Sequence, residues 1–383
     1  MQVINPKNRK IKVCFFTTVQ QPNNVRLFHR ECRSLVKAGF DVHLVVPCES
    51  SQLKEGVQIH AIRRSRNRFL RMTLMPWIAM RKALRTNAQI YHFHDPELLI
   101  IGFLMRWVFF KKVVFDMRES TARQLKSKGY LPHWSRSMIS FCYRIIETIS
   151  LKGIALIVAN DRSTEEYKNC YLVRNFPETD KRLMANALDM KKRLEKPLLV
   201  YVGGVWKSRG ALLYVELARQ LVEKGNNFHL MIIGQYEEQF GQKLKAKIRN
   251  LNLQDKITLT GFIDYQDAMK LVSQAVIGLA ILEPTPNYTF CLAGKMLEYM
   301  MCGTPVLCSN FEHWRPYIEG EKTGFMVDPG NMEEIVGACQ NMLNNPDELV
   351  AMSKRGIDAV RTKYNWETEF KNLLKCYNDL LKE

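Results

Sequence analysis

Leu198-Leu199-Val200-Tyr201-Val202-Gly203-Gly204 is a short apolar run broken by two glycines. Such a run, closed by a turn signal, reads as a buried strand that delivers the chain to a sheet edge. Downstream, the periodicity predicts a helix over residues 211–224 with Gly225 as its C-cap, then a strand over 228–233 ending at Gly234. Strand, helix and strand in that order form a βαβ unit of a parallel sheet. The first half opens on the same plan, with a strand over 11–18, a helix over 25–37 closed by Gly39, and a strand over 42–46 ending at Pro47. Further strands fit at 90–94, 112–116, 155–159 and 171–174, and in the second half at 257–260, 278–282 and 305–309. The expected class is α/β, with two Rossmann-like, doubly wound parallel sheets facing across a cleft. The expected division is 1–175 as the first domain, 176–196 as a polar linker, 197–363 as the second domain, and 364–383 as a closing segment that reads as a solitary helix. In open α/β sheets ligands bind at the carboxyl ends of the strands, so functional residues are sought there.

A chain of 383 residues suits two domains, and 46% hydrophobic against 25% charged residues excludes global disorder. The ten cysteines lie singly with no Cys-x-x-Cys pair, which argues against a zinc ribbon or a disulfide scaffold and suits a reducing cytosol. No signal peptide is read at the N-terminus. The longest apolar run, 98–110, is interrupted by Arg106 and falls short of a membrane span. Charge is unevenly placed: residues 1–175 hold 30 Lys and Arg against 12 Asp and Glu, whereas residues 176–383 hold 26 of each. A cationic half attracts polyanions such as anionic lipid headgroups, lipid diphosphates or nucleic acid. Its densest part, 63–85, interleaves arginines with Phe69, Leu70, Met72, Leu74, Met75, Trp77, Ile78 and Met80. Two readings stand: a helix packed on a sheet with solvated arginines, or one resting on a membrane surface.

In the second half, Gly294-Lys295-Met296-Leu297-Glu298-Tyr299-Met300-Met301-Cys302-Gly303-Thr304-Pro305-Val306 places Gly-Lys at a helix start and a Glu one turn inside. Free amides and the helix dipole make that start an anion site. Glu298, flanked by apolar residues, can accept two hydrogen bonds from a vicinal diol such as a ribose.

These residues resemble the family 4 glycosyltransferases of the GT-B fold, and the resemblance runs along nearly the whole chain. Leu297–Val306 matches the family's "L-E-A-M-A-C-G-T-P-V" segment, and Tyr201–Gly210 resembles its "Y-V-G-R-L…K-G" entry strand. Arg209 falls where the family has its diphosphate-binding Lys, and Gly204 stands in place of an Arg. The resemblance implies that Gly203, Gly204, Lys207, Arg209, Gly294, Lys295 and Glu298 form the donor site, with Arg209 stabilising the leaving diphosphate beside Lys207 or Lys295. Gly234 and Phe262 are expected along the nucleobase through their backbone. Phe290 occupies the place of the family's first Glu, as in a bacterial polysaccharide subgroup that dispenses with it.

In the first half, His94-Asp95-Pro96-Glu97-Leu98-Leu99 matches that subgroup's "H-D-P-E-L-L". His94 is expected as a catalytic residue, contacting the donor sugar or shaping the site for attack. Asp95 and Glu97 are expected to orient acceptor hydroxyls or to fix the loop. Asp116-Met117-Arg118-Glu119 resembles "D-V-H-E", putting Arg118 and Glu119 on the acceptor side. Asn24–Glu31 resembles "D-V-R-I-F-H-K-E", although a helix start collects polar caps in any protein. His92-x-His94-Asp95 raises metal binding as a rival, but the alternation of a strand turns Asp95 away from the histidines, and no metal is expected.

The resemblance implies a retaining, metal-independent transferase without a cofactor. The donor is a nucleotide-sugar, UDP-linked rather than GDP-linked. The acceptor is a glycan or a lipid-diphosphate-linked chain, at the inner face of the plasma membrane or in the cytoplasm. The rival class is a non-catalytic nucleotide-sugar- or glycan-binding subunit. Nucleic-acid binding is not expected, since no recognition module accompanies the charge.

Overall fold

The structure, a computed structural model, describes residues 10–65, 67–118, 120–127, 133–186 and 190–382. They fold as two compact units: the chain up to Asn175 together with the closing Trp366–Lys382 helix, and Phe176–Asn365.

In the first unit, β1 (Lys12–Phe16), β2 (Asp41–Pro47), β3 (Gln52–Lys54), β4 (Val57–Ile62), β5 (Ile90–Phe93), β6 (Lys112–Met117), β7 (Ala155–Val158) and β8 (Cys170–Leu172) form one sheet. The order is β3-β4-β2-β1-β5-β6-β7-β8, parallel throughout except for the short edge strand β3. Its central strands are buried on both faces, as continuous apolar runs require. One face is covered by the helical stretch 25–37 and the Trp366–Lys382 helix, the other by the Met75–Leu84 and Leu99–Trp107 helices. The closing helix docks through Trp366, Leu373, Cys376 and Tyr377, all buried, and Trp366 Nε1 donates to Ser34 Oγ at 2.8 Å.

In the second unit, β9 (Leu198–Val202), β10 (His229–Ile233), β11 (Ile257–Gly261), β12 (Ile277–Ala280), β13 (Val306–Ser309) and β14 (Gly324–Val327) form a wholly parallel sheet of order β11-β10-β9-β12-β13-β14. The order reverses beside β9, which places a topological switch point at its carboxyl end.

Three expectations need revision. Residues 176–196 are not a linker: they carry the helices Lys181–Asn186 and Met190–Arg193 within the second unit. Met190 enters that unit's core and buried Arg193 donates to the carbonyls of Ala275 and Gly303. The helix over 25–37 begins as a wide π-type turn, Val25–Cys32, before continuing as α-helix through Arg33–Lys37. Strands β3, β4 and β14 are additional to the expected ones: β3 has only three residues and β14 opens on a glycine, whereas Val57–Ala61 in β4 does alternate, and pairing with their neighbours completes all three.

Candidate functional site

In the second unit, the carboxyl ends of β9 and β10 meet the start of the Gly294–Met301 helix. Gly203 N donates to Ile233 O at 2.9 Å, and Gly234 N to Gly261 O at 2.9 Å. The backbones approach so closely that a Cβ on Gly234 falls 1.8 Å from Gly203 O, and both glycines hold positive φ. A Cβ on Gly203 meets Lys295 Nζ at 3.2 Å, Tyr201 OH at 3.3 Å and Arg209 Nη1 at 3.4 Å. Those three polar groups therefore converge on the face that the missing side chain leaves open.

The convergence is anchored. Gly210, at φ +79° and too close to Ile281 O for any side chain, ends the 3-10 turn Lys207–Arg209 and starts the following helix. Arg209 Nε donates to Tyr288 OH at 3.1 Å, and its guanidinium lies 5.8 Å from the Tyr288 ring centre. Lys295 Nζ sits 3.9 Å from the Tyr201 ring centre, enclosed and without a hydrogen-bond partner among the described residues. Burial drives the Lys295 ammonium well below the ordinary lysine value; Arg209 adds repulsion, and Glu298, one turn along the helix, opposes both. The helix is held in register because Val202 N donates to Tyr299 OH at 2.8 Å, and Gly278 leaves room for the Tyr299 ring. No side chain caps its first turn. Two cations with one nearby carboxylate, at an uncapped helix start, make an anion-seeking site.

The other expected donor residues are less concentrated. Glu298 is half-buried among buried Met296, Leu297, Tyr299 and Met300. Lys207 is exposed at the head of its turn, and Phe262 is 74% exposed beyond the end of β11. Gly204 faces the indole of Trp206, which a Cβ would overlap at 2.4 Å, so Trp206 fills the space a side chain at 204 would need. Phe290 ends the Pro286–Phe290 turn of helix and is partly exposed. Tyr201, Trp206 and Tyr288 were missed by sequence reasoning. Their signal was present only as aromatic residues inside the two motif stretches.

In the first unit, His94 follows β5 and is fully enclosed. Its Nε2 lies 2.8 Å from Glu31 Oε2 and 3.4 Å from Asp116 Oδ2. Arg26 bridges the same two acids, with Nε 2.8 Å from Glu31 Oε1 and Nη2 2.7 Å from Asp116 Oδ2. Burial opposes charge on His94, but Glu31 and Asp116 outweigh it and hold the imidazole above its ordinary pKa. Burial also opposes charge on Asp116, yet Arg26 and His94 keep it well below the usual carboxylate range. His92, 2.7 Å from Tyr377 OH and stacked on His94 with ring centres 4.9 Å apart, is driven far down by burial. His94 Nδ1 remains enclosed without a hydrogen-bond partner among the described residues.

The ligand atoms of Glu31, His92, His94 and Asp116 lie within 4.8 Å of one another, a spacing a metal ion could use. The rival metal reading rested on His92, His94 and Asp95; Glu31 and Asp116 stand in place of Asp95, and they come from a separate helix and strand that local spacing does not connect. Arg26 occupies both carboxylates, so an ion would have to displace a buried guanidinium, and the donor set does not fit a metal.

Asp95 accepts from Thr17 Oγ1 at 2.6 Å and Thr18 N at 2.7 Å, which makes it a buried clamp on the end of β1. Glu97 accepts from Thr18 Oγ1 and lies 3.5 Å from Arg71; burial raises its pKa. Beside Thr18 opens a cavity of about 540 Å³ lined by Gln20, Gln21, Arg64, Ser65 and Arg71. Arg118 has Nε and Nη2 buried without hydrogen-bond partners among the described residues, and burial with Arg26 nearby lowers its pKa. Glu119 lies outside the described residues. Asn24 caps its helix, its Oδ1 accepting from Leu27 N at 3.0 Å, whereas Arg26 and Glu31 of the same stretch enter the buried charge network.

Residues 188–359 match the family model "Glycosyl transferases group 1", and residues 25–176 match "Glycosyltransferase Family 4". The chain is similar to the alpha-D-kanosaminyltransferase of Streptomyces kanamyceticus, 22% identical over 60% of this chain and 61% of that protein. It is also similar to the capsular polysaccharide biosynthesis glycosyltransferase CapM of Staphylococcus aureus, 22% identical over 98% of this chain and 99% of that protein. Several other curated relatives are matched over about half of their length. Among solved structures, the sucrose-phosphate synthase of Thermosynechococcus elongatus shares the fold with a TM-score of 0.76 at 16% identity, over 98% of this chain and 100% of that chain.

Proposed function

With glycosyltransferase models matched in both units and a GT-B fold as the premise, we propose that this chain transfers a sugar from a nucleoside diphosphate to a glycan acceptor of polysaccharide assembly. The observation that carries this reading is the enclosed Lys295 ammonium, unpartnered beside Arg209 above Gly203. Two cations held together without a hydrogen-bonded counter-anion store repulsion that a diphosphate relieves.

In this reading Arg209 and Lys295 hold the diphosphate, and Gly203 and Gly234 let the backbone approach it. Glu298 takes the ribose diol, and the backbone near Phe262 borders the base. As the sugar bond breaks, charge grows on the leaving diphosphate. Fixed cations and helix amides stabilise it there without reorganising, so no divalent metal is required. Family likeness supports transfer with retained configuration. Arg118 and the cavity beside Arg64 and Arg71 give the first unit cationic groups suited to a phosphate-bearing, lipid-linked acceptor. His94, locked by Glu31, acts through the charge network, its enclosed Nδ1 being the ring nitrogen that no described residue engages.

The test is thermal melting against a panel of nucleoside diphosphates, uridine and guanosine first, and their sugars. Ligand that binds only the folded state raises melting by mass action. A diphosphate-dependent rise that Lys295→Met abolishes supports the site, and no rise with any nucleotide overturns it. Binding without release of nucleoside diphosphate under single-turnover conditions leaves a non-catalytic binding subunit.

A further inference from the structure

The His133–Ser150 helix is built inside out. Its buried positions are Ser135, Ser140, Glu147 and Ser150, whereas Trp134, Met138, Phe141, Ile145 and Ile149 point to solvent, Trp134 at 79% and Phe141 at 66% exposure. A helix on a water-soluble surface does the reverse, turning its apolar stripe to the core. Two of the inward polar groups are anchored by hydrogen bonds: Ser140 Oγ donates to Ala122 O at 2.8 Å, and Glu147 Oε2 accepts from Tyr167 OH at 2.7 Å. The orientation is therefore fixed by the packing, and the apolar stripe is left facing outward.

The helix is not alone. It packs against the Leu99–Trp107 helix, which packs against Met75–Leu84, and the three form one layer over the same face of the first sheet. Trp77 and Ile78 are exposed on the last of these, and Trp107, Val108, Phe109 and Phe110 follow on the middle one. Among the described residues, 20 large apolar side chains stand exposed in the first unit and 5 in the second, and this layer with the preceding Arg68–Thr73 helix holds 17 of the 20. So extensive an apolar surface marks an interaction face.

Charge names the occupant. The helices Arg68–Thr73, Met75–Leu84, Leu99–Trp107 and His133–Ser150 contain one acidic residue, Glu147, and that one is buried against Tyr167. In the same helices and the turns that follow them, Arg68, Arg81, Arg144 and Lys152 are exposed and Lys111 is half-exposed. No described helix is long and apolar enough to cross a membrane. We infer that this layer inserts its apolar side chains into the interface of an anionic bilayer, with the surrounding arginines and lysines at the headgroups. The inference does not rest on the glycosyl-transfer reading, because it is argued from the exposed apolar side chains and uses none of the donor residues.

Flotation of the full chain with phosphatidylglycerol–phosphatidylcholine vesicles, and with phosphatidylcholine alone, tests it. Quenching of tryptophan by brominated acyl chains in the same vesicles reads insertion. Binding to the anionic vesicles with quenching is expected, and the double variant Phe141→Glu with Ile145→Glu should lower the partition at least about tenfold. Both positions face solvent, so the variant should keep its helical circular dichroism and its melting behaviour. Three outcomes overturn the inference: no flotation with anionic vesicles; flotation without quenching that the variant leaves unchanged, which is charge adsorption alone; or self-association of the wild type that the variant abolishes while vesicles bind neither, which assigns the face to a second copy.

Discussion

Lys295 is the residue on which the donor site turns. Its ammonium is enclosed by Tyr201 and faces Arg209, and its pKa is depressed by burial first and by that guanidinium second. An incoming diphosphate reverses the second effect and raises the pKa of the bound state. Binding above the depressed value must therefore take up a proton, and affinity should fall as pH rises through the bound-state pKa. Calorimetric titration with uridine diphosphate in buffers of different ionisation enthalpy should show that uptake in the wild type and none in Lys295→Met. Arg209 is placed differently, since Tyr288 holds its Nε and leaves Nη1 toward Gly203. Its charge is permanent, so its contribution should lie in the transition state. Arg209→Ala is expected to reduce kcat by about 10²-fold or more, measured by release of nucleoside diphosphate.

Elements set these residues by a few hydrogen bonds. The Gly294–Met301 helix is tied to β9 through Tyr299, whose hydroxyl takes the Val202 amide at 2.8 Å. Tyr299→Phe leaves that enclosed amide unpaired and should cost about 1–3 kcal/mol of stability. Urea denaturation checks the loss, and donor affinity should fall with it as the helix start loosens. In the first unit, the Val25–Cys32 turn brings Arg26 and Glu31 to His94 and Asp116. The His94 pKa is raised on folding, so its contribution to stability is complete below the unfolded value near 6.5 and is lost as pH rises through the folded value. Glu31→Gln should remove that decline and lower stability by about 3–5 kcal/mol, because it leaves Arg26 and His94 short of a counter-charge. Denaturant unfolding at pH 6 and pH 9 measures both effects. The helix start at Asn24 was legible as a cap, but the role of Arg26 and Glu31 was not, since a helix, two strands and the intervening chain must be folded before their side chains meet.

On the scale of the whole molecule, the two units have separate cores, and the first is completed by the end of the chain. Tyr377 supplies the hydroxyl beside His92, and Trp366, Leu373 and Cys376 bury against the first sheet. A chain ending at Asn365 should lose hydrogen-exchange protection in β1 and β5 through β8 and keep it in β9 through β14. Loss of protection in both sheets alike would show that the cores are not separate.

From its own order, the sequence determined the strand–helix alternation, the glycines at the ends of β9 and β10, and the Gly-Lys helix start, because these depend on local periodicity and on backbone conformations that only certain residues adopt. Tertiary structure alone decided that Lys295 Nζ has no hydrogen-bond partner among the described residues, that Arg26 holds both carboxylates of the His94 cluster, and that one helix turns its serines inward and its aromatics outward. Those properties belong to the distances between segments far apart in the chain, which pattern along the chain does not encode.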